Sequence, residues 1–319
     1  MNRLGLLLAA VGLALAVWII AAQDFSAVGA LLTAAGFGLI LASFTHLPAM
    51  VLNAWAWAVL MPGTQRPNLL LMTHAVWIRE SVNALLPVGR VGGEVATYRV
   101  LRGWGVGVAP AAGGLLMDVA LSLVSQLLFA LLGLGLLAAG GAVGWLGLLL
   151  GLAVGFGCAG AFIAAQRLAL FSRVVGALNG VAAGRLSVFA EHSARIDRYV
   201  RRGWRRPRAI ALALLWQLAA WVAGSLEIYV ALWLLGHPVT LAEALVIESL
   251  IQAVSSAAFL VPGALGVQEA GFIGIGALVG LDPATSAALA LTRRIRDLVL
   301  YIPGLIAWVW AERRLSGRG

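Results

Sequence analysis

The 319-residue chain is 62% hydrophobic and 11% charged, and its mean hydropathy is +0.97. A soluble domain is about half apolar and about a quarter charged, so this composition excludes a soluble globular protein and indicates an integral membrane protein. The net charge is +9. The basic residues are all arginines and lie mainly between apolar runs, which is the positive-inside pattern rather than a nucleic-acid-binding surface. The single cysteine, Cys158, excludes an intrachain disulfide and a cysteine metal cluster.

Apolar runs long enough to cross about 30 Å of hydrocarbon recur along the chain. They predict an all-α membrane protein with about six transmembrane helices, at residues 4–22, 28–60, 106–137, 143–165, 209–235 and 284–311. The first run follows a basic start, as a signal peptide does, but it is longer than a signal core, so we expect an uncleaved helix. The second contains Pro48, which predicts a kink or a tilt.

Residues 68–102 and 241–281 are apolar segments interrupted by proline and glycine. Each is predicted to be a re-entrant helical hairpin. Two full crossings are the alternative, because both arrangements return the chain to its starting side. The arm from Val91 to Arg102 favours a hairpin, because about a dozen residues at about 1.5 Å each are too few to cross and they include charged side chains. With hairpins, the arginine-rich connections all fall on one side, which predicts cytoplasmic N and C termini.

The connection at residues 167–208 carries most of the charge outside the apolar runs, namely ten arginines against Glu191 and Asp197. Apolar residues recur in it at steps of three and four, so it is predicted to form amphipathic helices. These helices could lie on the inner leaflet, attracted by anionic headgroups, or could simply cover a loop that sets the topology.

The two broken segments share a plan: a Glu-Ser pair, a proline, glycines, and a glutamate seven residues after the proline. The shared positions are Glu80, Ser81, Pro87 and Glu94 in the first segment, and Glu248, Ser249, Pro262 and Glu269 in the second. Three predicted spans separate the copies, so they enter from opposite faces, which is typical of transporters built from inverted repeats. Helix N termini beginning after the prolines would direct backbone N–H groups toward a polar or anionic headgroup. The predicted turn residues are Pro87, Gly92, Gly93, Pro262, Gly263 and Gly266.

Ionisable groups at bilayer depth cost about 2.5 to 3.5 kcal/mol each on insertion scales, so they face a cavity or a partner. Asp118, Ser122 and Ser125 form a polar stripe at helical spacing. Arg293 and Asp297 are expected to pair, leaving at least one of the neighbouring arginines to bind phosphate or carboxylate; ion pairs between the repeats are the alternative. The candidate substrate-binding residues are Arg79, Glu80, Asn83, Arg90, Glu94, Asp118, Glu248, Gln268, Glu269, Arg293, Arg294 and Arg296.

Other chemistry is sparse in the sequence. GRVGGE lacks the Gly-Lys-Ser/Thr ending of a phosphate-binding loop. The four histidines, at positions 46, 74, 192 and 237, have no metal-ligand spacing. We therefore expect no catalytic residues, no metal and no cofactor, and no binding of nucleic acid.

Three stretches carry a family resemblance: RESVNALLPVGRVGGEVATYRVL, MDVALSLVSQLLFALLGL and FLVPGALGVQEAGFIGIGALVGLDPATSAALALTRRIRDLVLYIPGL. They resemble the transmembrane-region family of the lysyl-phosphatidylglycerol synthases, also called flippase-like, and within it the branch associated with hopanoid biosynthesis. The resemblance implies a multi-pass protein of the bacterial inner membrane that moves lipids. Its implied partners are a hopanoid or an anionic phospholipid, a second copy of the chain, or hopanoid and lipid biosynthesis proteins. The aminoacyl-transferring domain of the full synthases is not found, so we do not expect lipid aminoacylation.

The resemblance also implies a set of motif residues. These are Arg79, Glu80, Asn83, Pro87, Gly92, Gly93, Glu94, Asp118, Pro262, Gly263, Gly266, Gln268, Glu269, Arg293, Arg294, Arg296 and Asp297. The sequence therefore favours a lipid translocase or transport factor, with hopanoid as expected cargo and the headgroup held between the hairpins. The alternatives are a phospholipid flippase of the synthase type, a scaffold for lipid enzymes, and a lipid-modifying enzyme with Glu94, Asp118 or Glu269 as acid or base.

Overall fold

The computed structural model describes residues 25–61, 66–86, 92–140, 187–258 and 261–316, together with positions 14, 17 and 18. The described residues contain helices and turns and no strand. We number the helices α1 Phe25–Ala35, α2 Gly38–Ser43, α3 Leu47–Leu60, α4 Leu69–Leu85, α5 Gly92–Gly103, α6 Val108–Ala139, α7 Ser187–Gly203, α8 Pro207–Leu234, α9 Leu241–Ala257, α10 Val267–Leu278 and α11 Pro283–Ser316. Short 3₁₀ turns occupy Phe44–His46 and Pro262–Ala264.

Three stretches of helix in the described residues are long and apolar enough to cross a membrane: Gly38–Leu60, Val108–Ala139 and Pro207–Leu234. The last two confirm the helices predicted at 106–137 and 209–235. The run at 284–311 is also helical, within the 34-residue α11. The predicted spans at 4–22 and 143–165 lie almost entirely outside the described residues.

The prediction of one continuous span over residues 28–60 is wrong. Helix α1 ends at Ala35, and Gly36 has a φ of +52°, a left-handed conformation that interrupts the helix. Pro48 lies in the first turn of α3, after the 3₁₀ turn, where its missing N–H would have had no helical partner. The proline therefore follows a local 3₁₀ turn within the helical stretch Gly38–Leu60.

Each broken segment forms two helices that pack on one another, α4 with α5 and α9 with α10. Helices α5 and α10 have 12 residues each, or about 18 Å, which is shorter than the hydrocarbon layer. The predicted interruptions are therefore confirmed, while their re-entrant path through a membrane stays a prediction. Residues 87–91, which include Pro87 and Arg90, lie outside the described residues.

Two long helices connect the broken segments. Helix α8 packs against α3, α6 and α9, and α11 packs against α4, α10 and α2. One hydrophobic cluster joins α8, α9, α10 and α11 around Phe272, Ile247 and Leu232, and another joins α3, α4 and α6 around Trp57. This packing places both broken segments around a shared centre.

The predicted amphipathic helix is present as α7, while residues 167–186 lie outside the described residues. Its apolar face packs against α6 through Ile196 and Val200, and its arginines face outward. Tyr199 fits against Gly113, where a Cβ would overlap its ring, and donates a hydrogen bond to the carbonyl of Leu60 at 3.4 Å. Burial raises the pKa of Tyr199 to about 12, so the hydroxyl stays protonated. The apolar face thus contacts protein.

Helix α11 begins with a side-chain cap, and its removal should cost measurable stability. The Asp282 carboxylate accepts hydrogen bonds from the Thr285 backbone N–H at 2.9 Å and from the Thr285 hydroxyl at 2.6 Å. Asp282→Ala is expected to lower the free energy of unfolding by about 1 kcal/mol at pH 7, measured by denaturant unfolding in detergent. Asp282→Asn keeps one acceptor oxygen, so its free energy of unfolding should fall by less than that of Asp282→Ala.

The contribution of this cap should also depend on pH. Burial acts to raise the pKa of Asp282, but the hydrogen bonds from Thr285 outweigh it and lower the pKa below its ordinary value. A carboxyl with a depressed folded pKa stabilises the fold above its unfolded pKa of about 3.9, and the stabilisation is lost as the pH falls through the folded value. The difference between wild type and Asp282→Ala should therefore shrink in acid; a constant difference would contradict this assignment.

Candidate functional site

A cavity of about 730 Å³ lies among the helices of the two broken segments. Residues from α3 to α6, from α8 to α11, and from both 3₁₀ turns line it. Its volume is typical of small-molecule sites. The polar and charged lining residues are His46, Asn53, Arg79, Glu80, Asn83, Glu94, Asp118, Ser122, Gln126, Glu248, Gln252, Ser256, Gln268, Arg293, Arg296, Asp297 and Tyr301.

In the first broken segment, Asn83 ties the end of α4 to the start of α5. Its Oδ1 accepts a hydrogen bond from the Gly93 backbone N–H at 2.8 Å, and its Nδ2 lies 3.3 Å from each carboxylate oxygen of Glu94. A Cβ at Gly93 would overlap the carbonyl oxygen of Arg79, so only glycine permits this approach. Glu94 is the third residue of α5, where the helix dipole favours a negative charge, and it lines the cavity.

In the second broken segment, Glu269 occupies the equivalent place. It is the third residue of α10, and its Oε2 accepts a hydrogen bond from the Gly266 N–H at 2.7 Å. Gly263 and Gly266 have φ values of +59° and +77°, so the turn depends on glycine at both positions. Gln268 joins the two arms by donating to the Ser255 hydroxyl at 2.8 Å.

The equivalent positions of the two glutamates agree with the repeat predicted from the sequence. One detail differs from the prediction that helix N termini present unbound N–H groups to a ligand. The Gly93 N–H and the Gly266 N–H are each bound by a side chain of the same segment. The protein itself therefore satisfies part of each helix terminus.

The two broken segments also contact one another. Arg294 donates to the carbonyl of Gly263 at 2.9 Å, and a Cβ at Gly263 would lie 3.0 Å from the carbonyl oxygen of Ala84, in the last turn of α4. The turn of the second segment therefore lies against the end of the first helix of the other segment. Ala84 and Gly263, the residues at this contact, both line the cavity.

Arg293 is held by carboxylates from two other helices. Its Nη2 donates to Glu248 on α9, and its Nε lies 3.5 Å from Glu227 on α8. Arg293 and Glu227 are 3% and 2% exposed, so the charges are compensated within the protein interior. The guanidinium also lies over the ring of Phe272, 5.7 Å from its centroid.

The other two arginines of α11 are paired as well. Arg296 contacts Glu227 at 3.1 Å and Asp297 at 2.5 Å. Arg294 contacts Glu269 at 2.8 Å and Asp297 at 3.4 Å. The expected Arg293–Asp297 pair is therefore wrong: Asp297 pairs with Arg294 and Arg296, because Arg293 is turned toward α8 and α9. All three arginines contact carboxylates, so ion pairs link α11 to α8, α9 and α10, while the binding of a ligand by one of these arginines stays a prediction.

In another part of the cavity wall, Arg79 on α4 pairs with Asp118 on α6 at 2.5 Å. Asp118 is 1% exposed and also accepts a hydrogen bond from Gln217 at 3.0 Å. The Arg79 guanidinium lies 5.3 Å from the centroid of the Trp57 ring. Ser125 continues the polar stripe of α6 by donating to Gln217 at 3.1 Å.

Carboxylates outnumber arginines in the described part of the cavity wall. The charged lining residues are three arginines, Arg79, Arg293 and Arg296, and five carboxylates, Glu80, Glu94, Asp118, Glu248 and Asp297. Each of the three arginines contacts a carboxylate. The wall is therefore suited to hydrogen-bond donors and positive groups, and it is less suited to a phosphate than the sequence indicated.

The structure brings most of the predicted site residues together. Those that line the cavity are Arg79, Glu80, Asn83, Glu94, Asp118, Glu248, Gln268, Arg293 and Arg296. Glu269 and Arg294 adjoin it through their own ion pair, and Arg90 lies outside the described residues. Binding of a substrate by these residues stays a prediction. Within the described ranges, no group of three or more histidine, cysteine or acidic residues has the arrangement of a metal site.

Among the residues that contact the charged groups of the site, His46, Gln217, Glu227 and Tyr301 were missed in the sequence, as were the neutral lining residues Asn53, Gln126 and Ser256. Glu227 had a clear signal, because it is the one charge within the apolar run of residues 209–235. His46 also lies inside a predicted span, two residues before Pro48. Gln217 and Tyr301 had no comparable signal, because neutral polar residues are common in membrane helices.

Residues 4–304 match the family described as the lysylphosphatidylglycerol synthase TM region. The match covers nearly the whole chain, so the chain belongs to this family, as the resemblance implied. No curated protein and no solved structure matches it. Family membership and the long apolar helices together make the chain a multi-pass membrane protein with a lipid-related role.

Proposed function

We propose that this member of the lysylphosphatidylglycerol synthase transmembrane-region family is a lipid translocase or lipid transport factor of the bacterial inner membrane, and that its cargo is a hopanoid. The observation that carries the proposal is the meeting of the two broken segments, which the sequence predicts to be inverted repeats, at one polar cavity. The polar end of the lipid would enter this cavity while its ring system stays in hydrocarbon. Re-entrant hairpins would open the cavity to one leaflet at a time.

The charge of the cavity wall supports a cargo that donates hydrogen bonds. Five carboxylates against three arginines would repel a bare phosphate, whereas hydroxyl and amino groups can donate to carboxylate oxygens. The polar end of an extended hopanoid carries such hydroxyl or amino groups. The ring system adds a large apolar surface that needs no polar contact.

The excess of carboxylates in the cavity wall also favours a second candidate cargo, an aminoacylated phospholipid. Its amino groups would suit the excess of carboxylates, and the family description names a synthase of such lipids. The two cargoes differ in their apolar part, since one has a fused ring system and the other has two acyl chains. A direct comparison of the two lipids therefore separates the candidates.

The test is lipid movement in vesicles of phosphatidylethanolamine and phosphatidylglycerol that contain the purified protein. A hopanoid and a lysyl-phosphatidylglycerol, each labelled on the polar end with a fluorophore that dithionite bleaches from outside, report the rate at which each changes leaflet. Faster movement of the hopanoid than in protein-free vesicles supports the proposal. Movement of the phospholipid alone supports the second candidate, and movement of neither overturns both.

Glu94 and Glu269 provide a matched pair of variants, because they occupy equivalent positions in different surroundings. Glu94 lines the cavity and is held by the Asn83 amide, so Glu94→Gln is expected to slow lipid movement about tenfold, the effect of losing about 1.4 kcal/mol of interaction with the cargo.

Glu269 contacts Arg294 and accepts a hydrogen bond from the Gly266 N–H, so Glu269→Ala is expected to lower the free energy of unfolding by about 1 to 3 kcal/mol.

Glu243→Gln is the control for both measurements. Glu243 lies at the start of α9, outside the cavity, and its carboxylate accepts a hydrogen bond from the Thr240 backbone N–H. The amide oxygen of glutamine can accept the same hydrogen bond, so the variant keeps the helix cap. Unchanged lipid movement in Glu94→Gln, with wild-type stability, would show that the carboxylate does not meet the cargo.

A further inference from the structure

His46 lies between two carboxylates from different helices, the buried Glu227 and the half-buried Glu80. Its Nε2 is 3.6 Å from Glu80 on α4, and its Nδ1 is 3.4 Å from Glu227 on α8. The Tyr301 hydroxyl, from α11, is 3.4 Å from Nε2 and 3.2 Å from the same oxygen of Glu80. Arg296, also from α11, is 3.4 Å from Nδ1. The imidazole therefore connects four elements of the fold.

These neighbours suit two protonation states of the ring. A neutral imidazole can accept from Arg296 at Nδ1 and donate from Nε2 to Glu80. A protonated imidazole can donate to Glu227 and Glu80 at once. Both arrangements use ring contacts that the structure already contains, at 3.4 to 3.6 Å. Histidine is also the side chain whose ordinary pKa lies nearest neutrality.

Three carboxylates and three arginines face His46, but in the described ion pairs none of these arginines contacts Glu80, since Arg79 pairs with Asp118. From α4 they are Glu80 and its neighbour Arg79, from α8 Glu227, and from α11 Arg293, Arg296 and Asp297, with the Tyr301 hydroxyl beside them. Glu227 is shared by Arg293 and Arg296, and Asp297 contacts Arg296. Glu80 forms its ion pair with His46 and receives the Tyr301 hydroxyl. A proton on His46 therefore completes the pairing of Glu80.

We propose that His46, Glu80 and Glu227 form a proton-binding site, and that uptake and release of a proton there are coupled to lipid movement. This inference rests on the proposed transport function. His46 and Glu80 both line the cavity, so a proton can reach them through it. Since the site joins the turn before α3 to α4, α8 and α11, a change in its charge alters the attraction between these elements. The proton gradient then supplies the energy that drives lipid toward one leaflet.

The test uses the same vesicles and labelled hopanoid, with a pH difference of one unit across the membrane. If one proton accompanies each lipid, the ratio of lipid between the leaflets changes by about tenfold at equilibrium, because one pH unit corresponds to a factor of ten in an equilibrium constant. His46→Gln, which hydrogen-bonds but does not titrate, should abolish this response. His237→Gln is the control, because His237 is exposed in the turn after α8 and should leave the response intact.

A second measurement separates this inference from the proposed function. Protein in weakly buffered detergent is mixed with unlabelled hopanoid, and a pH-sensitive dye records proton uptake or release. Wild type should exchange protons and His46→Gln should not, while Tyr301→Phe, which removes a neutral donor to Glu80, should shift the pH at which exchange occurs.

Lipid movement that ignores the pH difference in wild type, or a response that persists in His46→Gln, would overturn proton coupling and leave transport standing. A wild type that moves no lipid at any pH would overturn the transport function itself. In that case proton exchange on lipid addition, present in wild type and lost in His46→Gln, would still identify the proton site, and its absence would reject it.

Discussion

Replacement of Arg293 by alanine is expected to lower the free energy of unfolding by about 3 to 5 kcal/mol, the usual effect of removing one partner from a buried ion pair. Arg293 is 3% exposed and lies against Glu248 and Glu227. Without it, Glu248 remains buried with Gln252 as hydrogen-bond donor, at 2.8 Å, and no compensating charge from α11 reaches it. Denaturant unfolding in detergent micelles measures the change.

Two further variants show whether uncompensated charge is the cause. Arg99→Ala breaks the ion pair with Glu312, in which the Arg99 side chain is 62% exposed, and should cost at most about 1 kcal/mol. The double variant Arg293→Met with Glu248→Leu removes both charges and should recover much of the lost stability. Proteins in which a buried ion pair is replaced by apolar residues of similar size are often about as stable as the original. A loss for Arg293→Ala no larger than for Arg99→Ala would refute the buried network.

Much of the fold was predictable from the sequence because its signals are local. Length and hydropathy placed α6, α8 and α11, since a continuous helix is what satisfies backbone groups in hydrocarbon. Proline and glycine placed the interruptions of the broken segments. The spacing from proline to glutamate, seven residues in both copies, indicated that Glu94 and Glu269 are equivalent, and the structure places each at the third residue of its helix. The kink at Gly36 was missed, since a single glycine is tolerated in many helices.

The pairing within the site was not predictable, because it depends on how distant helices face one another. Helical spacing alone paired Arg293 with Asp297, whereas packing turned Arg293 toward Glu248, which is 45 residues away. Glu227 supplies the charge that makes this orientation favourable, and its isolation in an apolar run was the signal that could have revealed it. A charged residue inside a predicted span can therefore indicate an oppositely charged residue on another helix as well as a ligand.

The ion pairs of the cavity wall form two groups, one centred on α11 and one on α4. Arg293, Arg294 and Arg296 link α11 to α8, α9 and α10, whereas Arg79 links α4 to α6. The first group contains the shared carboxylates Glu227 and Asp297, and also Glu248, whose arginine partner in the described residues is Arg293. Arg79 and Asp118 likewise form a pair of one arginine and one carboxylate, and both line the cavity at the first broken segment.

Replacement of Arg79 by leucine is therefore expected to have the largest effect on lipid movement. The change leaves Asp118, 1% exposed, with Gln217 as its donor and without a compensating charge, which should cost about 2 to 5 kcal/mol of stability. It also removes a charged hydrogen-bond donor from the cavity wall, so movement of labelled hopanoid in vesicles should slow by about 10- to 100-fold, corresponding to about 1.5 to 3 kcal/mol. Arg66→Ala, at an exposed arginine before α4, should behave as wild type.

The double variant Arg79→Leu with Asp118→Asn distinguishes the two roles that Arg79 can have. Neutralising Asp118 removes the buried charge that the single variant left uncompensated, so stability should recover. If Arg79 acts on the cargo, lipid movement stays slow in the recovered protein, because the cavity still lacks its guanidinium. If Arg79 serves only to compensate Asp118, stability and lipid movement recover together, and Arg79 is then a structural residue of the first broken segment and not part of a substrate site.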